Sequence, residues 1–166
     1  MSGAVYKGGP MISVQNVPAD DPIISEVDAL LRRSFAYMDE RIDPPSSLHR
    51  LTLADIKEVA DRNGLICAFD NGALVGCAFF KPEQDSLYIG KLAIEPSCQG
   101  KGIGRLLLIE AEKRAIAEKI PSLRLETRIE LTENHRTFEK FGFVKTGENA
   151  HAGYDRPTSI TMMKRL

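Results

Sequence analysis

Three glycines at alternate positions, Gly100, Gly102 and Gly104, mark the stretch of this chain best suited to bind a ligand. Alternating apolar residues before them predict a strand over Leu87–Glu95, and a Leu-rich stripe after them predicts a helix from about Gly102 to Lys119. The first turn of a helix leaves backbone N–H groups unpaired and carries a partial positive charge. Glycine lets a ligand approach that backbone without a Cβ in the way. The pattern therefore predicts an anion site, most naturally for a phosphate or diphosphate.

Two common phosphate-binding patterns do not fit this loop. A Walker loop requires GxxxxGK followed by Ser or Thr, and none of these glycines has that continuation. A dinucleotide fingerprint requires GxGxxG, and counted from Gly100 its last position is Arg105. The interpretation without a ligand is a glycine-rich turn that only caps its helix, although a simple cap needs one or two such residues.

The run Gln99–Gly104 reads Q-x-x-G-x-G and follows a strand that ends in Ile94-Glu95-Pro96. Strand, proline, glycine loop and Leu-rich helix in this order resemble the acetyl-CoA loop of the GNAT acyltransferase superfamily. A second run, NHRTFEKFGF over Asn134–Phe143, is similar to the closing motif of that family. The resemblance extends over nearly the whole chain.

The resemblance implies an acetyl-CoA-dependent N-acetyltransferase that transfers the acetyl group to a primary amine directly, in a ternary complex. It also implies an α+β fold in one domain over residues 1–166, with about four helices around a mostly antiparallel sheet. The two middle strands of that sheet, Leu87–Glu95 and Ser122–Thr127, would splay apart to admit acetyl-CoA.

The residues that would bind acetyl-CoA follow from the positions that match the family motifs. The glycine loop would bind the diphosphate, the middle strand would pair with pantetheine, and the closing motif would contact the pantetheine arm. These residues are Leu92, Ala93, Ile94, Gln99, Gly100, Lys101, Gly102, Ile103, Gly104, Arg105, Asn134 and Phe138. Many relatives carry a tyrosine at the position of Phe138, and its hydroxyl protonates the departing thiolate. Phenylalanine has no proton to donate, so the usual general acid is missing and Phe138 would pack against pantetheine.

An amine attacks a thioester only after it has lost its proton, so the reaction needs a base near the acceptor. Glu126, at the end of the second middle strand, is the main candidate, and a solvated strand-end carboxylate is the alternative. Tyr88, on the first middle strand, is a second candidate catalytic residue. Lys91 lies on the same strand and would be a poor base unless it is desolvated, and either side chain could simply pack there. Glu95 follows that strand, where a solvated charge is the simpler interpretation.

The acceptor would contact two polar segments, the loop from Tyr37 to His49 and the loop near Tyr154. Within them Arg41, Asp43, Ser46 and Tyr154 are the candidate acceptor-binding residues, and a solvated surface loop explains them equally well.

The composition of the chain limits the kinds of partner that it is expected to bind. Hydrophobic residues make up 43% and charged residues 27% of the 166 residues, and the formal net charge is −1, so no global field attracts nucleic acid or an anionic membrane. No apolar run approaches the roughly 18–20 residues that span a bilayer, and the first ten residues lack the apolar core of a signal peptide, which predicts a cytoplasmic location. The three histidines lack the close spacing of a zinc site, so no metal is expected. Many relatives are dimers, and no exposed apolar stripe here decides between a monomer and a homodimer.

The three cysteines form no CxxC pair and are odd in number, which argues against a disulfide framework. Asp70–Ala73 predicts a hairpin with an Asn-Gly turn, and in that register Cys67 faces Gly76 while Cys77 faces Ile66. The two thiols would then lie on opposite faces as small core residues. Cys98 lies beside the glycine loop, where an acyl-cysteine intermediate is the alternative to direct transfer.

The remaining elements are predicted as β-α-α-β-β-β-α-β-α-β-β. The first helix would begin with Asp21 as its N-cap and Pro22 at its first position, and Thr132 would cap the last helix. Two other functions remain open at this point. Phe138 raises the alternative of a regulatory module that binds CoA without turnover, and an unknown cleft width leaves room for another donor such as succinyl- or propionyl-CoA.

Overall fold

The structure is a computed structural model, and it describes residues 3–6 and 11–166, with side chains from residue 11 onward. The residues whose composition argues against a signal peptide therefore lie largely outside this range. Within it no helix is long and apolar enough to cross a membrane.

One mixed sheet organises the described chain. Its strands are β1 (Gly3–Tyr6), β2 (Ile12–Asn16), β3 (Leu65–Asp70), β4 (Ala73–Pro82), β5 (Leu87–Ile94), β6 (Ser122–Arg128), β7 (Val144–Asn149) and β8 (Ser159–Arg165). The eight described strands lie in the order β1-β2-β3-β4-β5-β6-β8-β7. Every neighbouring pair is antiparallel except β5 and β6, which are parallel. The mostly antiparallel α+β fold expected from the sequence is confirmed, and β1 adds a strand that the sequence did not predict.

Helices cover both faces of the sheet. The described chain forms four α-helices, α1 (Ile24–Phe35), α2 (Leu53–Asp61), α3 (Ile103–Ala117) and α4 (Thr132–Lys140), and short 3-10 turns that include Ala36–Met38, Ser47–Arg50 and Pro96–Cys98. Apolar residues of α1 and α2 pack on one face of the sheet. Apolar residues of α3 pack on the other face, together with Phe138 from α4. Two hydrophobic cores therefore hold the sheet between them.

Two predicted helix caps are wrong. The first helix begins at Ile24, two residues later than predicted, because the Asp21 carboxylate accepts from the Ile23 N–H at 2.9 Å and caps the preceding turn instead. The last helix includes Thr132, and Leu131 occupies its N-cap position without a capping side chain. Leu131 is buried against Met38 and Ile42, so packing decides this position against the usual preference for a polar cap.

The hairpin of β3 and β4 forms with its Asn-Gly turn, but the predicted cysteine register is wrong. A bulge shifts the pairing between Ala68 and Phe69, so that Cys67 lies directly opposite Cys77. Both are buried free thiols on the α1 face of the sheet. One extra residue in β4 was enough to bring them onto the same face, because side-chain direction alternates along a strand.

A second bulge lies in the middle of β5. Phe79 pairs with Gly90 and Cys77 pairs with Ala93, so β5 holds one residue more than β4 in this interval. Lys91 takes a positive φ of 49° within it. Before the bulge Leu87 and Ile89 pack in the core beneath α3, whereas Ala93, which the sequence placed on the same face, packs beneath α1. The bulge thus turns the strand over at its midpoint.

Candidate functional site

The glycine loop leaves β5 through the 3-10 turn Pro96–Cys98 and enters α3 at Ile103. Gly100 and Gly102 take positive φ values of 81° and 80°, a backbone region that strains other residues. A Cβ built on either glycine would meet nothing within 4 Å, so both face open space. Their conformation and their exposure both favour a close approach of a ligand to the backbone.

The amides of this loop remain available. The N–H of Leu106 donates to Gly102 at 3.2 Å and is the first to enter the α3 ladder. Within the described chain no acceptor faces the N–H groups of residues 100–105. Six consecutive donors at the start of a helix form the arrangement that an anion site requires.

A cleft of about 390 Å³ extends from this loop along the end of β5, and we call it the loop cleft. The ends of β5 and α1, the loop itself, the first turns of α3 and one side of α4 line it. Its lining residues are Ser34, Phe35, Tyr37, Leu92, Ala93, Ile94, Cys98, Gln99, Gly100, Gly102, Ile103, Gly104, Arg105, Leu108, Asn134, Thr137, Phe138 and Phe141.

The sheet opens beside this cleft. Strands β5 and β6 pair only at Leu87 with Leu123 and at Tyr88 with Arg124. From Ile89 to Ile94, no strand of the described chain pairs with the edge of β5 that faces β6. The Ile94 carbonyl accepts from the Ser34 hydroxyl at 2.9 Å. An extended ligand can therefore pair with this edge as an added strand would.

A second cavity, of about 230 Å³, lies between the separated strands, and we call it the strand cavity. Its lining residues are Phe35, Met38, Ser46, Ser47, Tyr88, Ile89, Gly90, Lys91, Leu92, Leu125, Glu126, Thr127, Arg128, Leu131, Asn134, Phe138, His151 and Ser159. Four residues line both spaces, namely Phe35, Leu92, Asn134 and Phe138. The loop cleft and the strand cavity therefore meet where β5 has lost its neighbour.

The sequence pattern of the Acetyltransferase (GNAT) family matches residues 25–143, which is most of the chain. The chain belongs to the GNAT acetyltransferase family. An IAA acetyltransferase of Azospirillum brasilense is 28% identical over 152 residues, which cover 90% of this chain and 97% of that protein.

Solved structures of GNAT proteins share the fold. The PaiA N-acetyltransferase of Thermoplasma acidophilum, solved in complex with coenzyme A, superposes with a TM-score of 0.80 at 17% identity, over 93% of this chain and 99% of that one. A GNAT acetyltransferase of Listeria monocytogenes superposes with a TM-score of 0.76 at 15% identity, over 99% and 100% of the two chains. The splayed middle strands expected from the family resemblance are thus part of the fold of this GNAT protein.

Of the residues predicted to bind the cofactor, all but Lys101 line the loop cleft. Lys101 is exposed at the apex of the glycine loop. Phe138 contacts Phe143 edge to face, with ring centroids 5.9 Å apart, and both belong to the core beneath α3. Its ring thus forms an apolar wall at the junction of the two spaces and offers no proton donor there.

The two predicted catalytic residues both line the strand cavity, from opposite strands. The exposed carboxylate of Glu126 on β6 accepts from Arg124 at 3.2 Å. Burial raises the pKa of the Tyr88 hydroxyl, and the neighbouring Glu126 carboxylate raises it further. Tyr88 therefore stays protonated at neutral pH, so it can donate a hydrogen bond but is a poor base.

Lys91 is the residue of this cavity whose setting the sequence did not reveal. The bulge directs its ammonium into the strand cavity, where it donates to the Ser47 hydroxyl at 2.7 Å. Burial lowers the pKa of Lys91, and the nearby cations Arg128 and Arg50 lower it further. The Lys91 ammonium is therefore partly desolvated in the fold, which is the condition under which Lys91 could act as a base.

Arg128 and His151 also line the cavity and were not singled out from the sequence. The Arg128 guanidinium donates to the carbonyls of Pro44 and Pro45 at 2.7 and 3.0 Å. Burial and the positive charge of Arg128 lower the pKa of His151, which favours a neutral imidazole at neutral pH. No local motif signals these residues, because chain segments far apart in sequence bring them together.

The predicted acceptor-binding residues divide into two groups. Ser46 lines the strand cavity. Arg41, Asp43 and Tyr154 are not among its lining residues and instead tie the loop after α1 to the rest of the protein. Arg41 forms an ion pair with Glu133, and Asp43 accepts from the Tyr154 hydroxyl at 2.6 Å and from Arg156 at 3.0 Å. A role for these three in acceptor binding stays a prediction, and the contacts indicate that they hold the wall of the cavity in place.

Proposed function

We propose that this GNAT protein is an N-acetyltransferase that transfers an acetyl group from acetyl-CoA to a primary amine, directly and in a ternary complex. The observation that carries the proposal is the meeting of two spaces at Phe35, Leu92, Asn134 and Phe138. One space offers unpaired amides for a diphosphate, and the other holds ionisable side chains suited to an amine. A donor and an acceptor bound in the two spaces would meet beside the open edge of β5, and this proximity lowers the barrier to transfer.

The donor side fits acetyl-CoA. The amides of residues 100–105 would bind the diphosphate, and Lys101 and Arg105 would add positive charge at the mouth of the cleft. The free edge of β5 would pair with the amide groups of pantetheine, and Asn134 and Phe138 would contact the arm near its end. Acetyl-CoA supplies the activated acetyl group as a thioester.

On the acceptor side the chain must remove a proton and stabilise negative charge. The Glu126 carboxylate, which lines the strand cavity, would take the proton of the acceptor ammonium, directly or through a water. A backbone N–H on the open edge of β5 would donate to the carbonyl oxygen as negative charge develops on it. Tyr88 remains protonated and would orient the acceptor with its hydroxyl.

Direct transfer needs no acyl-enzyme. Cys98 lies beside the loop, at the diphosphate end of the loop cleft, and is not among the residues that line the strand cavity. Because Phe138 has no proton to donate, the sulfur would leave as a thiolate, which a thiol of moderate acidity tolerates.

A thiol-release assay tests the proposal. The purified protein is incubated with acetyl-CoA and a panel of polyamines, amino acids, aminoglycosides and peptide N-termini, and free CoA is measured with a disulfide reagent. Acceptor-dependent release of CoA, with an N-acetyl product found by mass spectrometry, is the expected result. Succinyl-CoA and propionyl-CoA in the same assay identify the acyl group that the cleft accepts.

Measuring acetyl-CoA binding separately from turnover distinguishes the proposal from its alternative. That alternative is a regulatory module that binds CoA without turnover, which the absence of a proton donor at Phe138 would suit. Tight binding of acetyl-CoA in calorimetry without turnover of any acceptor class would favour that module. No binding of acetyl-CoA at hundreds of micromolar would reject both.

A further inference from the structure

Two half-buried cations that line the strand cavity, Lys91 and Arg128, form no ion pair with any carboxylate of residues 11–166. Lys91 donates to the Ser47 hydroxyl at 2.7 Å, and Arg128 donates to two backbone carbonyls. Within the described chain neither forms a salt bridge. A partly desolvated cation that is bound only by neutral oxygens retains an electrostatic attraction for an anion.

Two carboxylates of this region, Glu126 and Asp43, form ion pairs with other cations. Glu126 pairs with Arg124, and Asp43 pairs with Arg156 and Tyr154. Glu130 accepts from the Asp43 N–H at 3.2 Å, and its other carboxylate oxygen is buried without a hydrogen-bond partner in the described chain. Burial lowers the pKa of Arg128; Glu130 and Asp43 oppose this shift, but neither forms an ion pair with Arg128. Among the residues that the structure describes, the charged neighbours of Lys91 are Arg128 and Arg50, and no carboxylate stabilises its charge.

Charge is also distributed across the cavity. The Glu126 carboxylate belongs to β6, whereas the Lys91 ammonium comes from the bulge of β5 and lies at Ser47. Ser47 accepts the hydrogen bond from Lys91, which leaves its own O–H to donate to a ligand. An acceptor with an ammonium group and an anionic group would match both ends of this arrangement.

We propose that the strand cavity selects amine acceptors that also carry a carboxylate, which Lys91, Ser47 and Arg128 bind while the amine lies toward Glu126. This inference rests on the proposed function and names its acceptor class. The carboxylate supplies the counter-charge that the described part of the chain does not place beside Lys91.

Matched acceptors test the inference. Glycine, β-alanine, 4-aminobutyrate and 6-aminohexanoate are compared with their carboxamides, and in the longer members the amine is far enough from the carboxyl group to keep a similar pKa. We expect at least one acid to exceed its carboxamide about 10- to 100-fold in kcat/KM, as charge-assisted hydrogen bonds of roughly 1.5–3 kcal/mol imply.

Substitutions at Lys91 identify the group responsible. In K91M the ratio of kcat/KM for acid over carboxamide should fall close to one, mainly through a raised KM of the acid. K91R keeps a positive charge at this position and should retain most of the preference in kcat/KM for the acid over its carboxamide. K145M, which removes an exposed lysine paired with Glu148 on β7, is the matched control and should not change the ratio.

A binding experiment keeps the inference testable without turnover. Calorimetry with the N-acetylated acids and their carboxamides, at saturating CoA, should show tighter binding of the acids to the wild type and equal binding to K91M. Equal kcat/KM for acids and carboxamides at robust turnover would overturn this inference and leave the proposed function standing. Loss of turnover with both acceptor types in both K91M and K91R would also overturn it, since Lys91 would then act in proton transfer. Absence of turnover with every amine would reject the proposed function, whereas the calorimetric comparison would still decide whether the carboxylate site exists.

Discussion

Arg124 and Tyr88 form the last residue pair that joins β5 to β6, and the Arg124 guanidinium lies over the Tyr88 ring, 4.5 Å from its centroid. The same guanidinium donates to both carboxylate oxygens of Glu83, at 2.8 and 2.9 Å, and to Glu126 at 3.2 Å. The Arg124 side chain therefore stabilises the place where β5 and β6 separate, and it also positions Glu126, the candidate base.

Replacing Arg124 with leucine should destabilise the protein by about 1–2 kcal/mol, because the substitution removes a bidentate ion pair and a cation–π contact. Arg124 lowers the pKa of Glu83, so its contribution is present above the ordinary carboxyl pKa of 4.5 and is lost as the pH falls below it. Urea unfolding at pH 7 and pH 3 measures the free energy of unfolding of both proteins. The difference in this free energy between wild type and R124L should be smaller at pH 3 than at pH 7. R62L, which breaks the exposed pair with Glu58, is the control and should change stability by less than about 0.5 kcal/mol. A difference between wild type and R124L that does not depend on pH would mean that Glu83 is not the partner that matters.

Gly104 allows the anion site to be tested without backbone strain. It lies in the first turn of α3, has no positive φ, and a Cβ there would make only ordinary contacts with Ile94, at 3.9 Å. Gly104→Glu places a negative charge beside the amides, and Gly104→Gln places a neutral side chain of nearly the same shape. We expect the dissociation constant for CoA to be at least tenfold higher for the Glu variant than for the Gln variant at low salt, with the gap narrowing at high salt. Both variants should fold, since an acidic residue is favourable at a helix N-terminus. Equal affinities in calorimetry would argue that the diphosphate binds elsewhere.

The three cysteines should differ sharply in reactivity. Cys67 and Cys77 are buried, and burial raises the pKa of both thiols, to about 12 for Cys77. Cys98 is partly exposed and lines the loop cleft. Because the thiolate is the reactive form, iodoacetamide at pH 8 should label one thiol per folded chain and all three after unfolding in urea. Intact-mass spectrometry counts the labels, and peptide mapping should place the first at Cys98. Acetyl-CoA should slow that labelling, and unchanged labelling at saturating acetyl-CoA would place the donor outside the loop cleft.

Glu126→Gln should lower kcat/KM by about 100-fold or more if the carboxylate accepts the amine proton, because general-base catalysis contributes on the order of 10²–10⁴-fold. The affinity for acetyl-CoA should not change, since Glu126 is absent from the lining of the loop cleft. The measurement is the pH dependence of kcat/KM for wild type and variant, which should differ in shape. E148Q, on the distant strand β7, is the control. An unaltered pH profile would exclude Glu126 as the base.

The parts of the site that the sequence predicted are those encoded locally. Gly100 and Gly102 sit in one loop between a strand and a helix, and the strand, the loop and the helix each follow from residues that are neighbours in the chain. The Asn-Gly turn after Asp70 forms for the same reason. Local patterns of this kind specify elements and the short connections between them.

The parts that the sequence did not reveal depend on register and on distant contacts. The two bulges add one residue each, and they decide that Cys67 meets Cys77 and that Lys91 enters the strand cavity. Gly76 and Gly90 lie beside them, and glycine within a strand often marks a bulge, but it does not identify the extra residue. Likewise Arg128 meets Pro44 and Pro45 only because the loop after α1 folds over β6. Long-range packing determines these contacts, and the apolar periodicity of a single strand does not predict them.

The bulge at Lys91 makes chain length as important as residue identity in this part of β5. Because the bulge already absorbs one residue, removing Lys91 would leave Leu92 and Ile94 on the α3 face and Ala93 on the α1 face. An insertion of one residue between Gly90 and Ala93 would instead make them exchange faces, and both cores would receive side chains of the wrong size. Laboratory evolution of a new acceptor preference can therefore vary the side chain at Lys91, but libraries that lengthen this segment by a single codon should be dominated by inactive proteins.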